Sequence, residues 1–198
     1  MRSSWDLVPL GDVCNIVKNK HNGEIIPYIG LEHIESGTGN LAMQPKPTIV
    51  KSTTFLFNET HVLYGRLRPY LNKVFTPYFA GHCSTEIFPL ECGSKLNRRF
   101  LFYWLTREET VQHINKTCTG ARMPRANVKT ILDFRIPLPP LPEQNRIVAI
   151  LDEALTKQLP IPRGTLLMPV RCLRVILTGC FAERVRVGTR IHWMMFAA

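Results

Sequence analysis

The residues with the most chemistry to offer lie in Leu63-Tyr64-Gly65-Arg66-Leu67-Arg68-Pro69-Tyr70-Leu71-Asn72-Lys73-Val74. Three cations and two tyrosines fall there within ten residues, around a glycine and a proline. An arginine can grip a phosphate, or the O6/N7 edge of a guanine, through two parallel N–H bonds. A tyrosine adds a phosphate hydrogen bond or a base contact. If Leu63–Leu67 is a strand, its period of two puts Tyr64, Arg66 and Arg68 on one face and turns Leu63 and Leu67 to the core. The same residues also fit a strand edge kept solvated by charge.

A second group is Thr119-Gly120-Ala121-Arg122-Met123-Pro124-Arg125-Ala126-Asn127. Its glycine and proline cannot continue a helix, so Arg122 and Arg125 are displayed on a loop, where functional side chains often sit. Asn127 also reads as the cap of whatever helix follows. The third is Pro137-Leu138-Pro139-Pro140-Leu141-Pro142-Glu143-Gln144-Asn145-Arg146-Ile147-Val148, by itself a polyproline linker opening into a helix.

Catalytic signatures are absent from the sequence. There is no G-x-x-x-x-G-K-[ST] loop and no G-x-G-x-x-G. His33-Ile34-Glu35 matches H-x-E without the P-C-x-x-C of a deaminase zinc site. No nucleophile elbow, nuclease-type Asp…Glu-x-Lys or methyltransferase Asn-Pro-Pro-Tyr occurs either. The six cysteines (Cys14, Cys83, Cys92, Cys118, Cys172, Cys180) form no C-x-x-C pair and read as small apolar residues. Binding, not catalysis, is the expectation.

Composition bounds the rest. The 198 residues suit one domain, or one with an appendage, and 45% hydrophobic content excludes wholesale disorder. No apolar run approaches a membrane span, and Met1-Arg2-Ser3-Ser4-Trp5-Asp6 has no signal-peptide core, so a cytoplasmic protein is expected. The net charge of +10 is uneven. Residues 155–198 hold seven basic side chains against one acidic, which leaves the main body only mildly basic.

Short β-rich runs at Ile26–Leu31, Phe55–Phe57, His61–Leu67, Lys73–Phe79, Glu86–Leu90 and Phe134–Leu138 predict strands. One helix is predicted from a cap at Ser94 or Asn97 to Cys118, stopped by Gly120. Its stripe Phe100, Leu101, Trp104, Leu105, Val111 and Ile114 reads as core. Asn127 caps a short helix at Val128–Leu132. A further helix runs from Pro142 to Gln158, 17 residues or about 25 Å long, with Ile147, Ile150, Leu151, Ala154 and Leu155 on one face. Beyond Pro160 the chain is Arg-rich and aperiodic, as if translated out of frame.

In this order and at these separations, the three segments resemble the target recognition domain of type I restriction–modification specificity subunits. Trp5–Gly11, Tyr28-Ile29-Gly30-Leu31-Glu32-His33-Ile34, Ser84-Thr85-Glu86-Ile87-Phe88 and the prolines before Glu143-Gln144 fit too, so the likeness spans about residues 4–155. The resemblance implies an α/β (α+β) fold, a small twisted and mostly antiparallel sheet with flanking helices. It divides the chain into a recognition domain (1–140), a shortened spacer helix (141–158) and a basic tail (159–198).

A full subunit of that family carries two such domains, each with a long helix, and each reads half of a bipartite DNA sequence. The family resemblance therefore implies a non-catalytic chain whose partners are double-stranded DNA, modification subunits and restriction subunits, with no membrane. S-adenosylmethionine, ATP and Mg belong to those partner subunits, and this chain carries no cofactor. Tyr64, Arg66, Arg68, Tyr70, Lys73, Arg122 and Arg125 are the expected DNA contacts. Ile147, Ile150, Leu151 and Leu155 would pair two copies into a two-domain reader, though they span barely two heptads. The rival expectation is a truncated remnant that binds a partner protein and holds DNA only non-specifically.

Overall fold

The computed structural model describes residues 5–118 and 122–157, the last two by backbone alone. The helix stop expected at Gly120, the helix end at Gln158 and the irregular tail 159–198 lie outside the described residues.

One strand decides the architecture. β5 (His61–Gly65) is buried along its whole length. Val62 and Tyr64 enter one core, and Leu63, between them, enters a second. Both faces are covered, so the assumption that one face of this strand meets solvent fails.

β5 lies inside an antiparallel sheet of order β2–β8–β5–β6, made with β2 (Cys14–Ile16), β6 (Val74–Phe75) and β8 (Ile87–Cys92). A second sheet, β3–β7–β4, joins β3 (Tyr28–Ile29), β7 (Gly81–Ser84) and β4 (Thr54–Phe57). Its β3–β7 pair is parallel and its β4–β7 pair antiparallel. Leu63, Phe75 and Ile87 of the first sheet share the smaller core with Ile29, Phe57 and Cys83 of the second. The opposite face of the first sheet carries the helices. A two-stranded pair, β1 (Asp6–Pro9) with β9 (Arg135–Leu138), ties the two ends of the domain together.

The fold is thus α+β and mostly antiparallel, with three small sheets among the described residues in place of the single sheet expected. β1, β2 and β7 are additions to the predicted strands. The runs Ile26–Leu31 and Lys73–Phe79 shrink to two residues each, next to prolines 27 and 77 that have no ladder donor.

α1 (Arg98–Thr106) is capped by Asn97, not Ser94. The Asn97 Oδ1 accepts from the N–H of Arg99 at 2.7 Å and of Phe100 at 3.1 Å. From Phe100 to Thr106 every residue is buried, so the helix is the spine of the larger core. The single helix expected as far as Cys118 is broken. Arg107 takes an extended backbone, and α2 (Glu108–Lys116) begins in a new direction that buries Thr110 and Ile114. The Thr106 hydroxyl competes for the Phe102 and Tyr103 carbonyls where the break occurs. α3 (Val128–Asp133) is capped by Asn127, as its sequence predicts.

α4 (Leu141–Lys157) covers α1. Ile147, Val148 and Leu151 are buried in the chain's own core, Leu155 packs against it, and only Ile150 of the predicted pairing stripe is exposed. The pairing expectation for Ile147, Leu151 and Leu155 is therefore corrected. A helix as apolar as α1 needs a cover, and α4 supplies it from the same chain. Asp152 locks the contact by accepting from both the Arg99 guanidinium and the Tyr103 hydroxyl.

Cys14, Cys83, Cys92 and Cys118 are free thiols. Cys14 and Cys92 stand directly opposite each other across β2 and β8, a pairing their distance in sequence conceals.

His82 has no exposed surface. Its ring stacks on His21 with centroids 4.0 Å apart. Thr48 O can only accept, so the Nε2–H donates to it at 3.1 Å and Nδ1 takes the Thr54 hydroxyl at 2.9 Å. Burial, with His21 adding to it, holds the His82 pKa below the usual imidazole range, and burial lowers that of His61 as well. The unfolded chain therefore binds more protons, and stability falls as the pH drops below about 6.5, the unfolded imidazole value. Urea midpoints at pH 7.5 and 5.5 check this. An equal or higher midpoint at pH 5.5 contradicts it.

Candidate nucleic-acid interface

The site begins where β5 runs out. Gly65 donates its N–H to Lys73 O at 2.8 Å. A Cβ there would sit 2.8 Å from the Leu31 Cδ2 and 3.1 Å from that carbonyl, so a larger residue would push Leu31 aside and crowd the pairing with Lys73. The chain then leaves β6 and takes a new partner. Ala126 donates its N–H to Arg66 O at 2.9 Å, and Arg68 donates to Pro124 O at 2.8 Å, with Leu67 opposite Arg125. The two cation-bearing segments, some sixty residues apart in sequence, are stitched edge to edge by backbone hydrogen bonds.

An acid sits between the cations. The Glu86 carboxylate accepts from Arg125 Nε at 3.1 Å to each oxygen, and Arg125 Nη2 lies 3.0 Å from Oε1. The bond to Glu86 raises the Arg125 pKa further, so its charge is permanent. Arg66 holds its Nε 3.9 Å from Glu86 Oε2, buried and without a hydrogen bond, while its guanidinium lies 5.0 Å from the Phe88 ring centroid. Lys18 Nζ approaches the same ring at 5.9 Å.

Arg68, Tyr70 and Arg122 are exposed on the same two segments. The loop that carries Arg68 and Tyr70 is firmly founded. Asn72 Nδ2 donates to Thr106 O at 3.0 Å, closing the end of α1, and Gly37 N–H donates to Asn72 O.

Of the residues expected to contact DNA, the fold therefore gathers Arg66, Arg68, Tyr70, Arg122 and Arg125 on two joined segments. Two expectations change. Tyr64 is only 3% exposed, packed in the larger core with its pKa pushed up by burial, and has no surface to offer. Lys73 donates from Nζ to Leu31 O at 2.6 Å, so it braces the Leu31–His33 turn. Two residues were missed. Glu86 had a signal, as the one charge in the run Ser84–Phe88. Lys18 had none, because only the pairing of β2 with β8 carries it to Phe88.

Arg68 adopts a left-handed backbone, φ 51°, ψ 65°, and among the described residues only Asn72 shares a positive φ without being glycine. Asparagine tolerates that region, whereas arginine is strained there by about 1–2 kcal/mol. Arg68→Gly is expected to raise stability by up to about 1 kcal/mol while weakening any ligand contact made by the guanidinium. A melting temperature below that of the parent chain would contradict the strain.

The two segments thus form one joined, cation-bearing edge beside an α+β core. Residues 2–161 match the sequence model of the type I restriction modification DNA specificity domain, and this chain belongs to that family. It is 29% identical over 153 residues to the type I restriction enzyme EcoDI specificity subunit of Escherichia coli, covering 74% of this chain and 34% of the relative. The MjaVIII specificity subunit of Methanocaldococcus jannaschii is 24% identical over 158 residues, covering 75% and 35%. The chain thus spans about a third of the length of the curated relatives it matches. Among solved structures, the HsdS subunit from Thermoanaerobacter tengcongensis superposes with a TM-score of 0.67 at 25% identity, over 80% of this chain and 43% of that one. A chain from a study of complex assembly in the type I restriction–modification system reaches 0.65 at 19% identity, over 83% and 52%. Its likeness is one of fold.

Proposed function

We propose that this chain reads duplex DNA as a specificity subunit of a type I restriction–modification complex, one recognition domain addressing one half of a bipartite target. The observation that carries the reading is the stitching of the Arg66–Tyr70 and Arg122–Arg125 segments into one edge. Cations scattered on unrelated faces could not follow a phosphate backbone. The reading makes the chain non-catalytic and free of cofactor, with modification subunits holding S-adenosylmethionine and restriction subunits using ATP and Mg. Its place of action is the cytoplasm, where the DNA is. Among the described residues no helix is long and apolar enough to cross a membrane.

The domain division proposed is a recognition body to residue 140, the helix from 141 and the tail from 159. Because α4 spends Ile147 and Leu151 on its own core, any docking of partner subunits uses its outer face, where Arg146 and Ala149 are exposed. Fluorescence-anisotropy titration of the 198-residue chain against a random-sequence duplex pool, with rounds of selection, tests the proposal. Enrichment of one short sequence is expected. Binding that never discriminates between duplexes favours the remnant reading instead, and no binding at low salt removes both.

A further inference from the structure

Arg125 meets Glu86 side-on, through Nε and Nη2. A guanidinium held in that way keeps its other fork intact. Nη1 and the outer hydrogen of Nη2 project away from the carboxylate in the plane of the group. Among the described residues Nη1 has no hydrogen-bond partner, and the side chain is 39% exposed. Free arginine on a loop would spend rotamer entropy to align such a fork, whereas Arg125 already has its orientation. Its backbone is equally constrained, by the bridge to Leu67 and the Pro124 and Ala126 hydrogen bonds on either side.

Resting on the DNA-reading role proposed above, we infer that Glu86 is a positioning residue that presents the end-on fork of Arg125 to a paired acceptor on the duplex. That acceptor is either the O6/N7 edge of a guanine or two oxygens of one phosphate. The inference runs against simple electrostatics, since an acid at a DNA-facing edge should otherwise weaken binding.

Glu86→Gln separates the two accounts. It keeps the shape and removes one negative charge. If Glu86 only adds charge, the variant binds the selected duplex more tightly than the parent, with a steeper salt dependence. If it positions Arg125, binding weakens about tenfold or more despite the extra net charge. Arg125→Lys keeps the charge and removes the fork, and is expected to weaken binding similarly. The double variant should be no weaker than Arg125→Lys alone, within about twofold.

Replacing guanines of the selected duplex one at a time with 7-deazaguanine identifies the acceptor. In the guanine arm, one replacement weakens the parent chain and leaves Arg125→Lys unaffected. In the phosphate arm, no replacement matters and Arg125→Lys weakens every duplex by the same factor. Urea midpoints confirm that each variant folds. If Glu86→Gln does not fold, Glu86→Asp takes its place: the charge stays and the carboxylate draws back, so weaker binding supports positioning and unchanged binding overturns it. Unchanged or tighter binding by the folded Glu86→Gln, or unchanged binding by Arg125→Lys, overturns the inference while the DNA-reading role stands. A parent chain that binds no duplex overturns the role itself.

Discussion

Replacement of Gln144 by leucine is expected to destabilise the fold by about 3–5 kcal/mol. The Gln144 side chain has no exposed surface and satisfies three backbone groups at once. Its Oε1 accepts from Asn97 N–H at 2.7 Å, and its Nε2 donates to Lys95 O at 2.9 Å and Pro139 O at 2.8 Å. These bonds join the proline run, the start of α4 and the turn that caps α1. Leucine fills the space and leaves one N–H and two carbonyls without partners, each worth roughly 1–3 kcal/mol when buried.

Glutamate in that position is expected to do at least as much damage at neutral pH. A carboxylate can still accept from Asn97, but it faces two carbonyl oxygens with nothing to donate. The physical sense of the Pro-Pro-Leu-Pro-Glu-Gln run follows from this. Pro139 offers a carbonyl, and an amide four bonds from the backbone reaches it from the first turn of the helix. Urea unfolding of both variants measures the loss. A midpoint shift equivalent to less than about 1 kcal/mol in Gln144→Leu would show that the clamp is dispensable.

The double variant Arg68→Ala with Arg122→Ala is expected to lower DNA affinity more than a hundredfold, about 3 kcal/mol or more for two charge-assisted contacts. It should also make the logarithmic salt dependence shallower by about 1.8, since each neutralised phosphate contributes about 0.9. Both side chains are exposed, and neither supports the core, so folding should survive. Arg66 is a poorer probe of the same question. Its guanidinium stacks on Phe88, and its removal would disturb packing as well as charge. Anisotropy titrations at several salt concentrations supply both readings. An unchanged slope would place the DNA on another face of the molecule.

Much of the local structure was legible in advance. Asn97 and Asn127 are caps, Phe100, Leu101, Trp104 and Leu105 are core, and the helix after Pro140 runs over nearly the predicted span. Each of these signals is carried by residues within about four positions of one another, and capping or periodicity acts at that range. The grouping of Arg122 with Arg125 and of Arg68 with Tyr70 was likewise visible, because a glycine or proline beside each pair breaks regular structure.

The destinations of those elements were not legible. Nothing near Tyr64 says that β5 has a helix layer on one side and a second sheet on the other, which is why its face was misassigned. Nor does the stripe on α4 reveal whether it meets a second copy or α1 of its own chain, since both surfaces are equally apolar. The break at Arg107 escaped because periodicity on either side is helical. What the sequence determined by itself was the identity of most of the elements, the Asn97 and Asn127 caps and the family to which the chain belongs. What only the tertiary structure decided was which faces are covered, that Glu86 stands between two arginines, and that two distant cationic segments share one edge. Burial and strand pairing are set by partners from ten to more than a hundred residues away, and no local pattern encodes them.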